Sequence, residues 1–251
     1  MGLYQSLREP PVLTAIIGAI CLDGIVLVAD SKITRINNEK LESTIKKKMA
    51  GDLAHFLMSY TGPKLTFDIF RKFIVGDLLI DLATNTTRFN NHIERASNCI
   101  DEINKVAASG NKIQILAVSH ARRNSILYHV NEDGSRRRIE DYVSIGSGQE
   151  VADYFCKTLS HGQITMKAFA TEAFLAIKFM DQNRPDLRAG GPPTVQYMNY
   201  NKEGDDEASS EDINEFERYA EKYLKNLDRQ MKSIAARSKR ELMTKKTSHS
   251  S

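Results

Sequence analysis

Short runs of β-branched and apolar residues, separated by polar residues, recur along the chain from Thr14 onward. One run opens at Thr14 and a second follows from Ile25, and between them lies Asp23-Gly24, a dipeptide typical of a tight hairpin turn. Further runs of this kind, each bounded by polar residues, predict strands at 53–60, 113–118, 125–130, 142–145 and 194–200. The pattern therefore predicts hairpin-rich sheets.

Helical spacing of apolar residues separates the strands into groups. Between residues 64 and 108 the apolar positions follow approximate helical spacing, which predicts two successive helices. A second pair is predicted at 150–159 and 165–180, with His161-Gly162 as the break. Because each amphipathic element must cover its apolar face, this order predicts an α+β fold: a four-layer α/β/β/α sandwich of two antiparallel sheets flanked by helix pairs.

A change of composition after position 200 divides the chain. Residues 201–210 are acidic and poor in apolar side chains, which predicts a linker. Residues 211–251 carry apolar positions at helical steps, with a basic end, and predict a charged C-terminal helix and tail. Pro10 and Pro11 end a predicted leader at 1–13, so the main domain is expected at 14–200.

Length and composition limit the classes of protein. The 251 residues are 41% hydrophobic, which suits one substantial core, and 35 basic against 32 acidic residues leave a net charge of +3. So small an excess gives no reason to expect nucleic acid as a partner. The 3 cysteines form neither a disulfide framework nor a zinc motif, and no apolar run approaches the roughly 20 residues that span a bilayer. We expect a cytoplasmic protein with no membrane partner.

Few arrangements in the sequence are suited to catalysis. The 6 histidines lack metal-ligand spacing, no G-x-S-x-G elbow occurs, and the G-x-G of VSIGSGQE lacks the remainder of a phosphate-binding loop. We therefore expect no metal and no cofactor.

The stretch from Thr14 to Thr34, TAIIGAICLDGIVLVADSKIT, resembles the start of the mature chain of proteasome β-type subunits, which belong to the N-terminal nucleophile hydrolase superfamily. The resemblance covers about residues 14–198. It implies a threonine peptidase, with Thr14 as the candidate nucleophile, that works within a ring of similar subunits on unfolded polypeptides or peptides. In that family a leader is removed, the threonine hydroxyl attacks the scissile carbonyl, and the freed α-amine of the same residue is the base.

The resemblance also assigns an electrostatic pair to the site. Asp30 follows Thr14 by sixteen residues and would orient and charge-balance a lysine beside the nucleophile; the alternative is an aspartate that forms a turn at a strand end. Within STIKKKM, ungapped counting selects Lys46, whereas the position before the next apolar run selects Lys48, with Lys47 between them. We take Lys48 as the site lysine, whose ammonium would lower the pKa of the amine and of the hydroxyl.

Two glycine-containing turns complete the assignment. In VSIGSGQE the resemblance places Ser147 close to the α-amine of the nucleophile, and the alternative is a serine that caps the following helix. In DQNRPDLRAGGPP it assigns Asp186 to the support of the amine, with Gly190 and Gly191 as the glycine pair.

Three positions depart from the family pattern. Ala189 replaces a serine, which removes a hydrogen-bond partner worth about 1 kcal/mol if buried. Ser59 replaces a glycine whose N–H helps to form the oxyanion hole, and the backbone donor survives that exchange. Leu13 replaces the glycine that makes the tight turn for leader cleavage less costly. These departures favour an alternative, a non-catalytic β-type subunit that only builds the ring; a related hydrolase of small amides is a third interpretation.

Overall fold

A computed structural model describes part of the chain. The residues described are 14–37, 40–45, 49–53, 56–62, 67–68, 71, 94, 97–98, 100–101, 105, 112–119, 125–157, 164–183, 191–202 and 206–248. The strands are β1 (Ala15–Ile20), β2 (Gly24–Ala29), β3 (Lys32–Asn37), β4 (Lys40–Ile45), β5 (Met49–Leu53), β6 (Phe56–Thr61), β7 (Gln114–Ser119), β8 (Ile126–Val130), β9 (Arg136–Ile139), β10 (Tyr142–Gly146), β11 (Thr194–Asn199) and β12 (Asp206–Glu207). The helices are α1 (Gln149–Cys156), α2 (Met166–Asn183) and α3 (Ser210–Ser248).

The β1–β2 hairpin lies at the centre of the first sheet, whose strand order is β10-β1-β2-β11-β12. The N–H of Cys21 donates to the carbonyl oxygen of Gly24 at 2.7 Å, so that Leu22 and Asp23 form the two-residue turn. The predicted hairpin is confirmed, but the predicted Asp23-Gly24 turn is wrong by one residue. Gly24 instead opens β2. A larger residue does not fit at this position, because a Cβ there would lie 2.2 Å from the carbonyl oxygen of Met198 on β11.

The second sheet has the order β5-β6-β7-β8-β9, and β3 pairs with β4 in a separate two-stranded sheet. The strand predicted at 53–60 corresponds to β6 from Phe56 onward, but Leu53 belongs to the preceding antiparallel strand β5, whose register is irregular between Gly51 and Leu53. The other four predicted strands correspond to β7, β8, β10 and β11 to within one residue at each end. Polar sequences hid β9 and the two-residue β12 from the apolar pattern.

The predicted second helix pair is confirmed as α1 and α2, and the predicted C-terminal helix is confirmed as α3. For the first pair, the described residues at 67–68, 71, 94, 97–98, 100–101 and 105 are helical. The remainder of that pair and the predicted break at 161–162 lie outside the described residues. Among the helices that the structure describes, none is both long enough and apolar enough to cross a membrane.

Three clusters of buried side chains establish the layers. The first lies between the helices α1 to α3 and the first sheet, and includes Ile17, Val26, Val28, Phe174 and Phe216. The second lies between the two sheets, and includes Ile16, Leu27, Leu57, Leu116 and Leu127. The third covers the outer face of the second sheet and includes Ile115, Tyr128, Val130 and the helical residues Phe67 and Ile100. The order helix, sheet, sheet, helix confirms the predicted α+β sandwich.

Candidate active site

Thr14 lies directly before β1 and has no solvent-exposed surface. On β1 the side chains of Ala15 and Ile17 pack on the helices, whereas Ile16 packs between the sheets. β1 is therefore held on both faces. Such a strand can hold the residue at its end in one position, which a nucleophile requires.

Asp30 closes the end of the hairpin opposite the turn. Its N–H donates to the carbonyl oxygen of Ala15 at 3.0 Å. A regular antiparallel pair would return a bond from the Ala15 N–H to the backbone carbonyl of Asp30. Here the Ala15 N–H donates to Oδ1 of the Asp30 side chain at 3.1 Å, and the hydroxyl of Thr14 donates to the same oxygen. One carboxylate oxygen therefore ends the strand ladder and orients the candidate nucleophile.

The burial of Asp30 defines the electrostatics of this contact. Its side chain is fully buried, and a buried carboxylate needs hydrogen bonds and a compensating charge. The Thr14 hydroxyl and the Ala15 N–H supply two of the hydrogen bonds. The lysine predicted to supply the charge, Lys48, lies outside the described residues, as do Lys46 and Lys47. The electrostatic pair of Asp30 with a lysine remains a prediction.

β10 brings a second group of site atoms to Thr14. Ser147 Oγ donates to the carbonyl oxygen of Thr14 at 3.3 Å, and the N–H of Gly148 donates to the same oxygen at 3.4 Å. The alternative that Ser147 caps the following helix is wrong, because the N-cap of α1 is Gly148 and no side chain caps it. Ser147 and Gly148 together hold the backbone of Thr14.

Gly146 makes this approach possible. It pairs with Ala15 across β1 and β10 and has a φ of +96°, in the left-handed region that favours glycine. A Cβ at this position would lie 2.1 Å from the carbonyl oxygen of Thr14. Any side chain here would push β10 away from the candidate nucleophile.

Two further serines are buried near these elements. Ser59 is in the middle of β6, and it shares the inter-sheet face with Leu57 because both are odd-numbered positions of one strand. The oxyanion-hole role of its N–H remains a prediction. Ser31 follows Asp30 directly, and its buried hydroxyl has no hydrogen-bond partner among the residues that the structure describes.

The remaining assigned positions fall mostly outside the described residues. These positions are Leu13, Asp186, Ala189 and Gly190, so their roles stay predictions. Gly191 is described and has a φ of +78°, which agrees with a glycine-dependent turn before β11.

Sequence reasoning missed the backbone donors of the site. It did not anticipate that the N–H of Gly148 would bond to Thr14, or that the Ala15 N–H would bond to the Asp30 side chain. The available signal was the G-S-G turn after a predicted strand, since glycines at such a turn allow backbone N–H groups to approach another chain segment.

The described cysteines are not alternative nucleophiles. Burial raises the pKa of Cys21 to about 12, with the charges of Asp23 and Asp141 adding to the effect. Burial likewise raises the pKa of Cys156 to about 12, with contributions from Asp153 and Glu172. Both thiols are therefore protonated at neutral pH and unreactive.

No family model matches the sequence, and no curated protein matches it. Among solved structures the chain is similar to Anbu (ancestral beta-subunit) from Yersinia bercovieri, with a TM-score of 0.66 and 12% sequence identity over 86% of this chain and 95% of that chain. At this identity the likeness shows the fold alone. The fold is the mixed α+β sandwich of two antiparallel sheets and helices that a proteasome β-like protein has.

Proposed function

We propose that this chain is a threonine-type endopeptidase subunit of a proteasome-like ring assembly, with Thr14 as its N-terminal nucleophile after removal of residues 1–13. The observation that carries the proposal is the hydrogen bond from the Thr14 hydroxyl to the buried carboxylate of Asp30. Its support is the fold, shared with a protein named as an ancestral beta-subunit. Ring assembly and a polypeptide or peptide substrate belong to the same proposal.

The hydrogen bonds described above for Thr14 do not depend on the bond that cleavage would break. They use the hydroxyl and the carbonyl oxygen of Thr14, together with the N–H of Ala15, and all of these remain when the Leu13–Thr14 peptide bond is hydrolysed. The site is thus preorganised on rigid strands. Cleavage would add a free α-amine at Thr14, which is the base that the chemistry needs.

Peptide hydrolysis at this site follows in two steps. The α-amine of Thr14 takes the hydroxyl proton while Oγ1 attacks the substrate carbonyl, and an ester forms as the peptide nitrogen leaves with a proton. Water then hydrolyses the ester and restores the hydroxyl. In the proposal Asp30 and Lys48 set the electrostatics, Ser147 and Asp186 support the amine, and the N–H of Ser59 stabilises the oxyanion.

The burial of Thr14 favours a second candidate function, a non-catalytic β-like structural subunit. With no exposed surface, the hydroxyl of Thr14 is closed to a substrate in this conformation. The replacement positions Leu13, Ser59 and Ala189 point in the same direction. In this alternative the fold builds the ring and Thr14 stays within the chain.

Intact mass and active-site labelling decide between the two candidates. The peptidase is expected to begin at Thr14 when assembled and to form an adduct with a peptide epoxyketone or boronate. Thr14→Ala should abolish the adduct, whereas Thr171→Ala, which removes an exposed threonine hydroxyl on α2 bonded to Lys167, should retain it. An assembled ring that keeps residues 1–13 would reject the peptidase and support the structural subunit.

A further inference from the structure

The C-terminal part of α3 extends beyond the domain. Phe216, Ala220 and Leu224 are buried in the cluster with α2, whereas every residue at 228–235 is exposed. α3 has 39 residues and is about 58 Å long, so more than half of it lies beyond Leu224. In proteins most of the stability of a helix comes from packing of its apolar face, and this face is uncovered at the exposed residues 228–235. This part of α3 therefore needs a packing partner.

An apolar stripe continues along this part of α3. It consists of Leu224, Leu227, Met231 and Ile234 at steps of three or four, and Met231 and Ile234 are 60% and 58% exposed. The first three residues also line a groove of about 730 Å³, with Phe179 of α2 on its other side. The domain thus presents a groove and a stripe on the same helix.

The charges of α3 are polarised along its length. By sequence, residues 210–228 contain six acidic and three basic residues, whereas residues 229–248 contain seven basic and one acidic. Two of the acids, Glu221 and Asp228, line the groove. Three other acids of the first half form ion pairs with lysines of α2: Asp212 and Glu215 with Lys167, and Glu217 with Lys178.

We propose that α3 pairs antiparallel with α3 of a second copy of this chain, centred near position 229. In that register Leu227 meets Met231 of the other copy, and Leu224 meets Ile234, which enters the groove beside Phe179. The acidic half of each helix then lies along the basic half of the other, with Glu221 opposite position 237. A parallel pair would place like charges together. The contact is isologous, as a two-fold dimer requires, and it is independent of catalysis at Thr14.

Mixed cysteine cross-linking tests the direction of the pair. One chain carries Leu227→Cys and a second, differently tagged chain carries Met231→Cys, each with the native cysteines retained, and the two are co-expressed. A disulfide-linked dimer is expected in the mixture and not in either variant alone. Cross-links within each single variant would show a parallel pair, and no cross-link in any sample would reject the pairing; either result overturns the proposal.

Charge reversal tests the register. Glu221→Arg places like charges at both symmetry-related contacts and should weaken dimerisation about tenfold at low salt. The double variant Glu221→Arg/Arg237→Glu should restore it. Equal weakening by the single and the double variant would overturn this register.

A matched pair of apolar substitutions tests the stripe. Met231→Asp should abolish the dimer in sedimentation velocity, because it places a charge in the centre of the contact. Leu22→Asp changes a residue in the β1–β2 turn that is also 60% exposed and should leave the dimer intact. Both variants are at exposed positions and should fold, as circular dichroism would show. A Met231→Asp protein that still dimerises would overturn the proposal.

Discussion

At each end of the β1–β2 hairpin an aspartate side chain accepts a backbone N–H, yet only at one end does the same carboxylate also contact a candidate nucleophile. At the turn, Oδ1 of Asp23 accepts the N–H of Met166 at 2.7 Å and caps α2. At the open end, Oδ1 of Asp30 accepts the N–H of Ala15 at 3.1 Å. The difference is the neighbouring candidate nucleophile: the Asp30 oxygen also accepts a hydrogen bond from the Thr14 hydroxyl.

The turn end does contain a nucleophilic atom, the thiol of Cys21, but its surroundings suppress its reactivity. Burial and the charge of Asp23 raise the pKa of Cys21 to about 12. A nearby negative charge disfavours a thiolate. A carboxylate that accepts a hydrogen bond from a hydroxyl, in contrast, orients the hydroxyl oxygen for attack. A carboxylate at the end of a hairpin thus has only a structural role unless a hydroxyl and a base lie beside it.

The largest expected effect concerns the turn end of the hairpin, where the thiol of Cys21 lies. At pH 8 the raised pKa should lower the thiolate fraction of Cys21 roughly 1,000-fold relative to an ordinary thiol. Iodoacetamide modification, followed by peptide mapping, should therefore be slower by that factor in the folded protein than in the unfolded one. Its rate should rise about tenfold per pH unit from pH 8 to 11, since deprotonation is not complete there. Rapid modification of Cys21 at pH 8 would contradict the contrast between the two ends.

The next effect compares the glycines that permit close approach at each end. Gly146→Ala combines a φ of +96° with a Cβ 2.1 Å from the Thr14 carbonyl oxygen, so we expect a loss of about 3 kcal/mol in the free energy of unfolding. Gly24→Ala has the contact with Met198 but no positive φ, and should lose less. Urea denaturation measures both values. A larger loss for Gly24→Ala would reverse the ranking.

A third prediction compares the two aspartates. Asp30→Asn keeps an acceptor for the Ala15 N–H but loses the charge, and it should slow epoxyketone labelling roughly 100-fold if the site is catalytic. Asp23→Asn makes the same chemical change at the α2 cap and should leave the labelling rate within about twofold, with only a modest loss of stability. Similar labelling rates for the two variants would show that Asp30 has only a structural role.

The smallest expected effect comes from a comparison of two serines, Ser147 in the turn after β10 and Ser144 within β10, of which only Ser147 is described as contacting Thr14. Ser147→Ala removes one of the two donors to the Thr14 carbonyl found among the described residues, and it should cost about 1 kcal/mol in transition-state stabilisation, or roughly a fivefold slower labelling rate. Ser144→Ala is the matched control, because its hydroxyl bonds to Asp153 and to the Gln149 carbonyl and not to Thr14. A slower rate for Ser144→Ala alone would remove Ser147 from the site.

Much of the fold followed from local pattern. Most strands and the later helices were predicted to within a few residues, because alternating or helical apolar spacing states which face each element buries. The errors are confined to particular strands: β3, β4 and all of β5 except Leu53 were not predicted, and the polar strand β9 offered no apolar alternation. β9 forms because β8 supplies a pairing partner, which is a tertiary effect.

The sequence by itself determined that a hairpin joins the run that opens at Thr14 to the run that ends at Asp30, but it did not determine the register that brings these two residues together. Residues at equal distances from a two-residue turn lie opposite each other, so the predicted turn at Asp23-Gly24 would place Asp30 opposite Ile17, whereas the observed turn at Leu22 and Asp23 places it opposite Ala15. Hairpin register is a local property, and it depends on few residues.

Only the tertiary structure decided that the Thr14 carbonyl is held by Ser147 and Gly148. Ser147 is 133 residues away along the chain, and the G-S-G turn reaches Thr14 because β10 pairs with β1. No local rule selects that partner strand; the choice depends on packing β1 between the helices and the second sheet. The same holds for α3, whose sequence predicts its length and apolar stripe, whereas packing on α2 determines which part of that stripe remains exposed.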